Sequence, residues 1–519
     1  METTNWRGGA TRPSSRRTCA HPRDWSLRTR LGAGAAAAVV VAIVVAAAVL
    51  LSRRRPAGAL PVAVSLAAPG PGGTGPGGRW ALQHGLNQAP VCQQTGTPLA
   101  AALPQLGTTL IRTHDQRALD IFTIFPDPSA DPEDPAAYDF AAGDALFSSI
   151  IAVGHRAYLR VGVSWPPGAP PVLPPVPAWS LCPPARLLAR IALHTVQHYN
   201  DAAWGAGGFS GKTLAAIEIW NEPDGESPVM FCGSPAQFYA LYNETAATLK
   251  AYDQSLRVGG PAVARPGSAA YGLGFVEFVI ASRAPLDFFS WHSYGSRAGG
   301  NAASVAATVA AVRAALDNAG LSAVEQHITE WNTDPLPAGT QHDSPLAAAY
   351  VAAALGSFAS GGAHVALFYP GCEGVGASSW GLFQDGGGGA AAAWRPETYA
   401  YRAVGQTLRD TPWPAAVTSA PKDAVAIAGA GAPPVAGGLA ANMSFVVATQ
   451  STAYNVLSLS VAGLAPRAAL TLLTEVVDAA YAGEPTVSRA SVAAAADGTL
   501  FIAVKVAPPA VVRVQLLLA

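Results

Sequence analysis

The sequence predicts an α/β fold class: a (β/α)8 TIM barrel with a C-terminal β-sandwich domain, preceded by one N-terminal transmembrane helix. Three observations lead to this prediction. From Trp80 to about residue 412, short apolar runs alternate with longer amphipathic segments, which is typical of strand–helix units around a parallel sheet. The helical pattern ends near Trp413, and a 21-residue run without a charge lies near the amino terminus.

The amino-terminal segment is predicted to anchor the protein in a membrane. Residues 1–30 form a basic tail, and Leu31–Leu51 contains only Ala, Val, Ile, Leu and Gly, which is enough to cross a hydrocarbon core of about 30 Å. The positive charge is heavier before this run than after it, so the tail is expected to stay cytoplasmic and the rest to face the lumen or exterior. A cleaved signal peptide on a secreted protein is the alternative. Residues 52–79, rich in Pro, Gly and Ala, are predicted to be a linker.

The barrel is predicted to occupy residues 80–412. Eight apolar runs are expected to be its strands: Trp80–Leu86, Thr109–Asp115, Arg156–Ser164, Ala215–Glu222, Leu256–Val263, Leu286–Tyr294, Glu325–Asn332 and His364–Pro370. Five amphipathic segments between them are expected to be helices: Tyr138–Val153, Ala185–Tyr199, Ala236–Tyr252, Ala302–Ala319 and Ser344–Ser360.

Residues 413–519 are predicted to form the β-sandwich accessory domain. Four β-branched runs have strand length: Met443–Thr449, Tyr454–Val461, Ala469–Val477 and Thr499–Val506. Because they carry neither paired carboxylates nor an aromatic ladder, packing against the barrel is favoured over carbohydrate binding.

Composition restricts the classes of partner. The chain has 519 residues, 32 Lys and Arg against 33 Asp and Glu, and 13% charged residues, below the roughly 25% of average globular chains. This balance argues against a nucleic-acid partner. Beyond the apolar run, the four cysteines Cys92, Cys182, Cys232 and Cys372 allow up to two disulfides. None has metal-ligand spacing, and no metal or cofactor is predicted.

Two carboxylates end predicted barrel strands. Glu222 follows the apolar run of the fourth strand in Trp-Asn-Glu-Pro, and Glu330 ends the seventh in Thr-Glu-Trp-Asn. One such Glu often only caps a helix or pairs with an Arg. A pair at the carboxyl ends of barrel strands, where such enzymes place their chemistry, instead indicates glycoside hydrolysis.

The neighbouring residues suggest further roles. Pro223 stiffens the exit from the strand, which leaves Glu222 free to act as an acid, and Asn221 is expected to hold a sugar 2-hydroxyl. His292 and Tyr294 are two residues apart, so both point to one side of their strand. Two tryptophans could either stack on a sugar or fill the barrel rim: Trp331 and Trp380.

The sequence resembles glycoside hydrolase family 39 over roughly Trp80 to Leu408. The resemblance is carried by Ile217–Asp224, Pro285–Tyr294, Ile328–Thr333 and Pro337–Asp343. It implies that Glu222 is the acid/base and Glu330 the nucleophile of a retaining O-glycosidase. It further implies that Asn221, His292 and Tyr294 contact the substrate or orient Glu330, and that His114 faces the reacting sugar.

The family includes β-xylosidases and α-L-iduronidases. In the iduronidase pattern a Lys stands two positions after the strand-six His and meets the uronate carboxylate, and here that position is Tyr294. A β-xylosidase-like enzyme acting on a neutral pentoside is therefore favoured, with a carbohydrate as its partner. The alternatives are an α-L-iduronidase-like or other exo-glycosidase, a transglycosylase, and a non-catalytic carbohydrate-binding protein.

Overall fold

The computed structural model describes residues 58–70, 74–75, 78–92, 96–164, 176–200, 213–225, 230–295, 302–333, 342–372, 380–386, 390–433, 438 and 441–518. All of them lie in one compact unit, Gly58–Ala519. The predicted tail, the predicted transmembrane helix at Leu31–Leu51 and the first part of the predicted linker lie outside the described residues. Across the described ranges, no helix is both long and apolar enough to cross a membrane.

The described chain begins with the strands Ala59–Pro69 (β1), Thr74–Gly75 (β2) and Arg79–Trp80 (β3), of which β2 and β3 pair with each other. The next eight strands are parallel and close into a barrel, as predicted: Gln83–Asn87 (β4), Leu110–Arg112 (β5), Arg156–Val161 (β6), Leu214–Ile219 (β7), Val258–Val263 (β8), Phe288–Tyr294 (β9), Glu325–Asn332 (β10) and Val365–Phe368 (β11). Pairing of β11 with β4 closes the ring.

Helices follow the strands and cover the barrel: Leu103–Leu106 (α1), Ile121–Ile124 (α2), Ala141–Ala152 (α3), Ala185–Asn200 (α4), Pro235–Tyr252 (α5), Gly274–Ser282 (α6), Ala302–Asn318 (α7), Pro345–Ser360 (α8) and Pro396–Asp410 (α9). All five predicted helices are present within three residues at each end. Their starts have local causes: Ser234 accepts the Gln237 backbone N–H in a capping box before α5, and Ser344 accepts that of Ala347 before α8.

The second domain is a nine-stranded sheet. After the short pair Phe383–Gln384 (β12) and Ala393–Trp394 (β13), its strands are Trp413–Ser419 (β14), Ala424–Ala430 (β15), Met443–Thr449 (β16), Val456–Ala462 (β17), Ala469–Asp478 (β18), Thr486–Ala493 (β19), Leu500–Lys505 (β20) and Ala510–Leu518 (β21), together with β1. The order is β19-β18-β21-β16-β15-β14-β1-β17-β20. All of these pairs are antiparallel except β1 with β17.

The side chains of this sheet enter two hydrophobic clusters, and the predicted β-sandwich stays a prediction. Residues of β1, β17 and β20 share one hydrophobic cluster with one face of β16 and β21. The other face of β16 and β21, including Val446 and Val511, belongs to the core of the barrel. Helix α8 contacts β15, β16 and β21, so the sheet packs directly on the barrel through it.

The predicted linker requires a correction. Residues 59–69 form β1, which lies between β14 and β17 inside the nine-stranded sheet. Leu60, Val62, Val64 and Leu66 are each 2–3% exposed, so every second side chain enters the core. The proline, alanine and glycine content concealed this two-residue period, and the second domain therefore uses segments from both ends of the described chain.

Candidate active site

Glu222 lies just beyond β7 on an unusual turn of the backbone. Trp220 and Glu222 both have positive φ, 80° and 44°. Non-glycine residues adopt this region only when neighbouring contacts hold them there. Here Trp220 N donates to Val161 O at 2.8 Å and Glu222 N donates to Ala262 O at 2.9 Å, so the adjacent strands hold the turn that presents Glu222.

Glu330 lies within β10 and meets Glu222 and His292. Each of the three residues offers a side-chain atom, and these atoms lie within 4.8 Å of one another. All three residues are buried, with 2–5% of their surface exposed. The fourth and seventh barrel strands thus bring the two carboxylates together, as expected from parallel strands whose carboxyl ends share one face of the barrel.

Arg112, at the end of β5, connects most of the polar groups around Glu330. Its Nε donates to Glu218 at 2.7 Å, and NH1 donates to Glu330 Oε1 at 2.8 Å and to Asn87 Oδ1 at 2.9 Å. NH2 donates to Asn221 Oδ1 at 2.7 Å. Burial would lower the pKa of Arg112, but the Glu218 and Glu330 carboxylates raise it, so the guanidinium stays charged.

His292 and Tyr294 lie on the same side of β9 and contact the two carboxylates. The Tyr294 hydroxyl donates to Glu330 Oε2 at 2.8 Å. His292 Nδ1 lies 2.8 Å from Glu222 Oε1 and 3.4 Å from Glu330 Oε2. Burial lowers the pKa of His292 to about 4, so near neutral pH the imidazole is uncharged and can donate Nδ1–H to Glu222.

Another part of the rim of the site is formed by four residues: His114, Asp115, Tyr369 and Trp380. His114 Nε2 lies 3.4 Å from both Glu330 Oε1 and Asp115 Oδ1. The Tyr369 hydroxyl donates to Asp115 Oδ2 at 2.6 Å. Ring centres of Tyr369 and Trp380 are 6.4 Å apart, and those of Trp380 and Tyr294 are 6.3 Å apart. Aromatic and polar groups therefore surround Glu330 on both sides.

Neighbouring groups act on the pKa of Glu330 in opposite directions. Burial raises its pKa most, and the Glu222 and Asp115 charges raise it further, whereas His292 and Arg112 lower it. Two donors, Arg112 and Tyr294, favour its ionised form. Burial and Arg112 also lower the pKa of His114 well below its usual value, so that this imidazole is neutral too.

The same three residues that meet at the centre could offer ligand atoms to a cation: Glu222, His292 and Glu330. Arg112 already places a permanent positive charge within hydrogen-bond distance of Glu330. Repulsion from that charge disfavours a divalent ion in this position.

Three buried atoms in the site have no hydrogen-bond partner among the described residues: Asn221 Nδ2, His114 Nδ1 and His292 Nε2. Buried polar atoms are normally paired, so such atoms indicate places for a polar ligand. The amide of Asn221 accepts from Arg112 through its oxygen, which leaves its NH2 group as a donor for a sugar hydroxyl, the role expected for this residue.

Trp331 is the predicted site residue that the structure places elsewhere. It is fully buried, with its ring 5.3 Å from Phe358 of α8, 4.9 Å from Phe368 and 6.0 Å from Tyr401 of α9. Side chains alternate along a strand, so Trp331 points to the outer helices because Glu330 points inward. The prediction that it binds substrate is therefore wrong.

Sequence reasoning missed five polar residues of the site: Asn87, Arg112, Asp115, Glu218 and Tyr369. A signal was available for Arg112 and Glu218, since each is a charged residue inside an otherwise apolar strand, a pattern that requires a buried partner. Asn87 ends β4, whereas Asp115 follows β5 and Tyr369 follows β11, and many surface residues occupy such positions.

Two disulfides join loops at the carboxyl ends of the strands. Cys92–Cys372 connects the loops after β4 and β11, and Cys182–Cys232 connects those after β6 and β7. All four cysteines beyond the apolar run are therefore paired, which agrees with the prediction of up to two disulfides.

Comparisons with known proteins agree with this geometry. The model of the glycosyl hydrolases family 39 matches residues 208–360, which include both Glu222 and Glu330. A β-xylosidase of Geobacillus stearothermophilus is 27% identical over 288 residues, 51% of this chain and 54% of that protein. The chain thus spans about half the length of this curated relative.

Solved structures show the same fold over most of the chain. A glucosidase from Croceicoccus marinus superposes with a TM-score of 0.69 at 23% identity, covering 89% of this chain and 99% of the other. A monomeric β-xylosidase from Caulobacter crescentus superposes with a TM-score of 0.62 at 18% identity, covering 88% and 99%. These structures confirm the fold, and the family model over residues 208–360 together with the β-xylosidase relative confirms the resemblance to glycoside hydrolase family 39 seen in the sequence.

Proposed function

We propose that this protein is a retaining glycoside hydrolase that removes a terminal neutral sugar, most readily a β-xylosyl residue. The observation that carries the proposal is the pairing of Glu222 and Glu330, whose carboxylate oxygens lie within 4.8 Å. Retaining enzymes hold their carboxyl groups about 5–5.5 Å apart, whereas inverting enzymes need about 6.5–9.5 Å to admit a water.

The contacts of the two carboxylates support different roles. Glu330 accepts hydrogen bonds from Arg112 and Tyr294, which favour the anion that attacks the anomeric carbon. As the glycosyl–Glu330 bond forms, the bond to the leaving oxygen breaks and that oxygen takes the proton of Glu222. Glu222 then removes a proton from water, which attacks the anomeric carbon and releases Glu330. The hydrogen bond with neutral His292 orients Glu222 through both steps.

Two observations support a neutral sugar. Tyr294 stands where the iduronidase pattern has a Lys, and its hydroxyl binds Glu330 rather than a substrate carboxylate. The curated relative with 27% identity is a β-xylosidase. We therefore expect aryl β-xylosides to be cleaved faster than aryl α-L-iduronides.

The test of the mechanism uses Glu330→Gln and Glu222→Gln. Glu330→Gln loses the covalent step and should be inactive on every glycoside. Glu222→Gln should still form the glycosyl-enzyme from an activated aryl glycoside and then stall, because no base activates water. Added azide should restore turnover and give a glycosyl azide with the anomeric configuration of the substrate.

The control is Glu325→Gln, the same change at the other end of β10, where Glu325 pairs with Arg257 far from the site. It should keep wild-type activity. NMR of the first sugar released by the wild type should show retention. An inverted product, or a Glu330→Gln enzyme with wild-type turnover, would exclude the roles proposed for the pair.

We also propose that the barrel lies outside the cytoplasm, attached by residues 31–51 to a membrane. Support comes from the apolar run with its heavier positive flank on the amino-terminal side. The two disulfides add to this, because such bonds persist in oxidising compartments. Fractionation of the full chain against a chain that begins at Gly58 tests the attachment.

A further inference from the structure

Asp224 is a buried carboxyl group two residues after Glu222, and the mechanism above makes no use of it. Only 5% of its surface is exposed. Burial of a polar group costs free energy unless hydrogen bonds compensate. Both carboxyl oxygens of Asp224 accept backbone N–H groups, Oδ1 that of Ala264 at 2.9 Å and Oδ2 that of Arg265 at 3.1 Å. The side chain therefore joins the turn after β7 to the segment that follows β8.

Both of the joined segments contain strained backbone. Glu222 has φ 44°, and Ala262 near the end of β8 has φ 56°. Residues with a Cβ keep such values only where neighbouring contacts enforce them. The two residues hold each other, since Glu222 N donates to Ala262 O at 2.9 Å. Ala262 N in turn donates to Ser290 Oγ at 2.9 Å, so β9 also supports the turn that presents Glu222.

Asp224 supplies the second connection between these segments. A single hydrogen bond, such as that between Glu222 N and Ala262 O, allows two segments to rotate about it. The side chain of Asp224 adds bonds two and three residues beyond Ala262. The side chain of Arg265 returns to the same turn, with NH2 donating to Asp224 O at 3.0 Å. These bonds fix the direction in which the turn after β7 presents Glu222.

The segment that Asp224 holds also adjoins the partners of the two catalytic carboxylates. Ala264 and Arg265 line a cavity of about 410 Å³ together with His292 and Tyr294. His292 is hydrogen-bonded to Glu222, and Tyr294 donates to Glu330. Displacement of this segment would therefore change the surroundings of His292 as well as the turn that carries Glu222.

We propose that Asp224 is a positioning residue for Glu222: its hydrogen bonds with the segment after β8 keep the Glu222 carboxyl within reach of the leaving oxygen. This rests on the proposed glycosidase function. In the first step the bond from the anomeric carbon to that oxygen breaks, and the oxygen receives the proton of Glu222. In the second step the same carboxylate takes a proton from water. Both transfers need a separation of about 2.6–3.2 Å, so a small displacement of Glu222 slows both.

The experiment compares the wild type, Asp224→Ala and Asp224→Asn on two aryl β-xylosides. Dinitrophenolate leaves without a proton, whereas the phenyl leaving group needs one. In Asp224→Ala we expect kcat/KM to fall about 100-fold for the phenyl xyloside and less than about threefold for the dinitrophenyl xyloside, because only the acid is displaced. Asp224→Asn keeps an oxygen for the Ala264 N–H and should lie between the wild type and Asp224→Ala.

The second step supplies an independent readout. The activated leaving group makes the first step fast, so hydrolysis of the glycosyl-enzyme should limit turnover of the dinitrophenyl xyloside. Asp224→Ala should therefore lower kcat and KM together and leave their ratio nearly unchanged. Added azide needs no base, so it should raise kcat of this variant but not that of the wild type. A residue that only stabilised the fold would slow both xylosides alike and give no azide effect.

Asp478→Ala is the matched control. Asp478 lies in the second domain, is 8% exposed and also accepts two backbone N–H groups, from Ala480 and Ala507. Its loss should lower the temperature of thermal unfolding as loss of Asp224 does, and should leave both kinetic readouts at their wild-type values. If Asp224→Ala does not fold, the same comparison of leaving groups in Asp224→Asn decides.

The outcomes separate the two proposals. Equal losses on the two xylosides in Asp224→Ala, or an Asp224→Asn variant as impaired as Asp224→Ala, would overturn the positioning role while glycosidase activity stands. If the wild type cleaves no aryl glycoside, the glycosidase function fails, and the role of Asp224 fails with it.

Discussion

Among the individual residues of the site, Arg112 connects the polar groups to one another. One buried guanidinium joins Asn87, Asn221, Glu218 and Glu330, which come from or follow three different barrel strands. A buried charge is tolerated only when it is paired and hydrogen-bonded, and Arg112 meets this condition through Glu218 and Glu330. The charge that stabilises the proposed nucleophile is therefore also part of the barrel core.

Tyr294→Phe tests how donors control Glu330. The change removes a hydrogen bond to a carboxylate, which is worth about 1.5–3 kcal/mol, so kcat/KM should fall roughly 10–100-fold. The donor favours the ionised form, and without it the pKa of Glu330, already raised by burial, rises further. The proposed attack requires ionised Glu330 and is lost as pH falls through this pKa, so the acid limb should move to higher pH.

The measurement is the pH dependence of kcat/KM on an aryl β-xyloside. Tyr454→Phe removes an equivalent bond, to Asp423 in the second domain, and should leave the profile unchanged. An acid limb that stays in place in Tyr294→Phe would mean that the hydroxyl does not influence ionisation of Glu330.

At the scale of elements, the strands supply rigid positions while the disulfides tie the loops beyond them. The two bonds differ in the length of chain they enclose: Cys92 and Cys372 are 280 residues apart, Cys182 and Cys232 only 50. Both connect loops that follow neighbouring strands of the closed barrel, β4 with β11 and β6 with β7.

We predict that loss of Cys92–Cys372 lowers the free energy of unfolding more than loss of Cys182–Cys232. The loop-entropy model gives a difference of about 1.5 kcal/mol from the two loop lengths. Burial acts in the same direction, because Cys92 and Cys372 are 0–1% exposed. Denaturant unfolding of the two paired Cys→Ala variants compares them directly. Equal losses, or a larger loss for Cys182–Cys232, would contradict the model.

At the scale of the whole molecule, the barrel is inserted between two parts of the second domain. Strand β1 precedes the barrel in sequence but lies in the middle of the sheet that follows it. A chain cut at the predicted start of the barrel, residue 80, would therefore lose Leu60, Val62, Val64 and Leu66 from a core. Burial of four such side chains at about 1.5–3 kcal/mol each is comparable with the stability of a whole domain.

This topology predicts where the chain can be shortened. A chain that begins at Gly58 should be soluble and active, whereas one that begins at Gly78 should aggregate or unfold at a markedly lower temperature. The full chain should sediment with membranes and resist alkaline carbonate if residues 31–51 anchor it. Solubility and thermal unfolding measure the first comparison, and a stable Gly78 chain would show that β1 is dispensable.

Local patterns were sufficient for most of the fold. Eight apolar runs and five amphipathic segments predicted the barrel strands and the longer helices, because alternation and helical periodicity are properties of contiguous residues. Helices α1, α2, α6 and α9 were missed, as were five strands of the second domain. Strand β19 is exposed along almost all of its length and so lacks the apolar alternation that reveals a strand.

The positions of Glu222 and Glu330 near the carboxyl ends of two barrel strands were predictable from the sequence, because a charged residue next to an apolar run is visible in one segment. The identity of the side chains around them depends on contacts between distant segments. Arg112 and His114 reach Glu330 from the end of β5, more than 200 residues away in sequence, and Trp331, beside Glu330 in the chain, points away to the helices. The reason is that closure of the barrel and the alternation of side chains set these contacts, and neither is a property of a single segment.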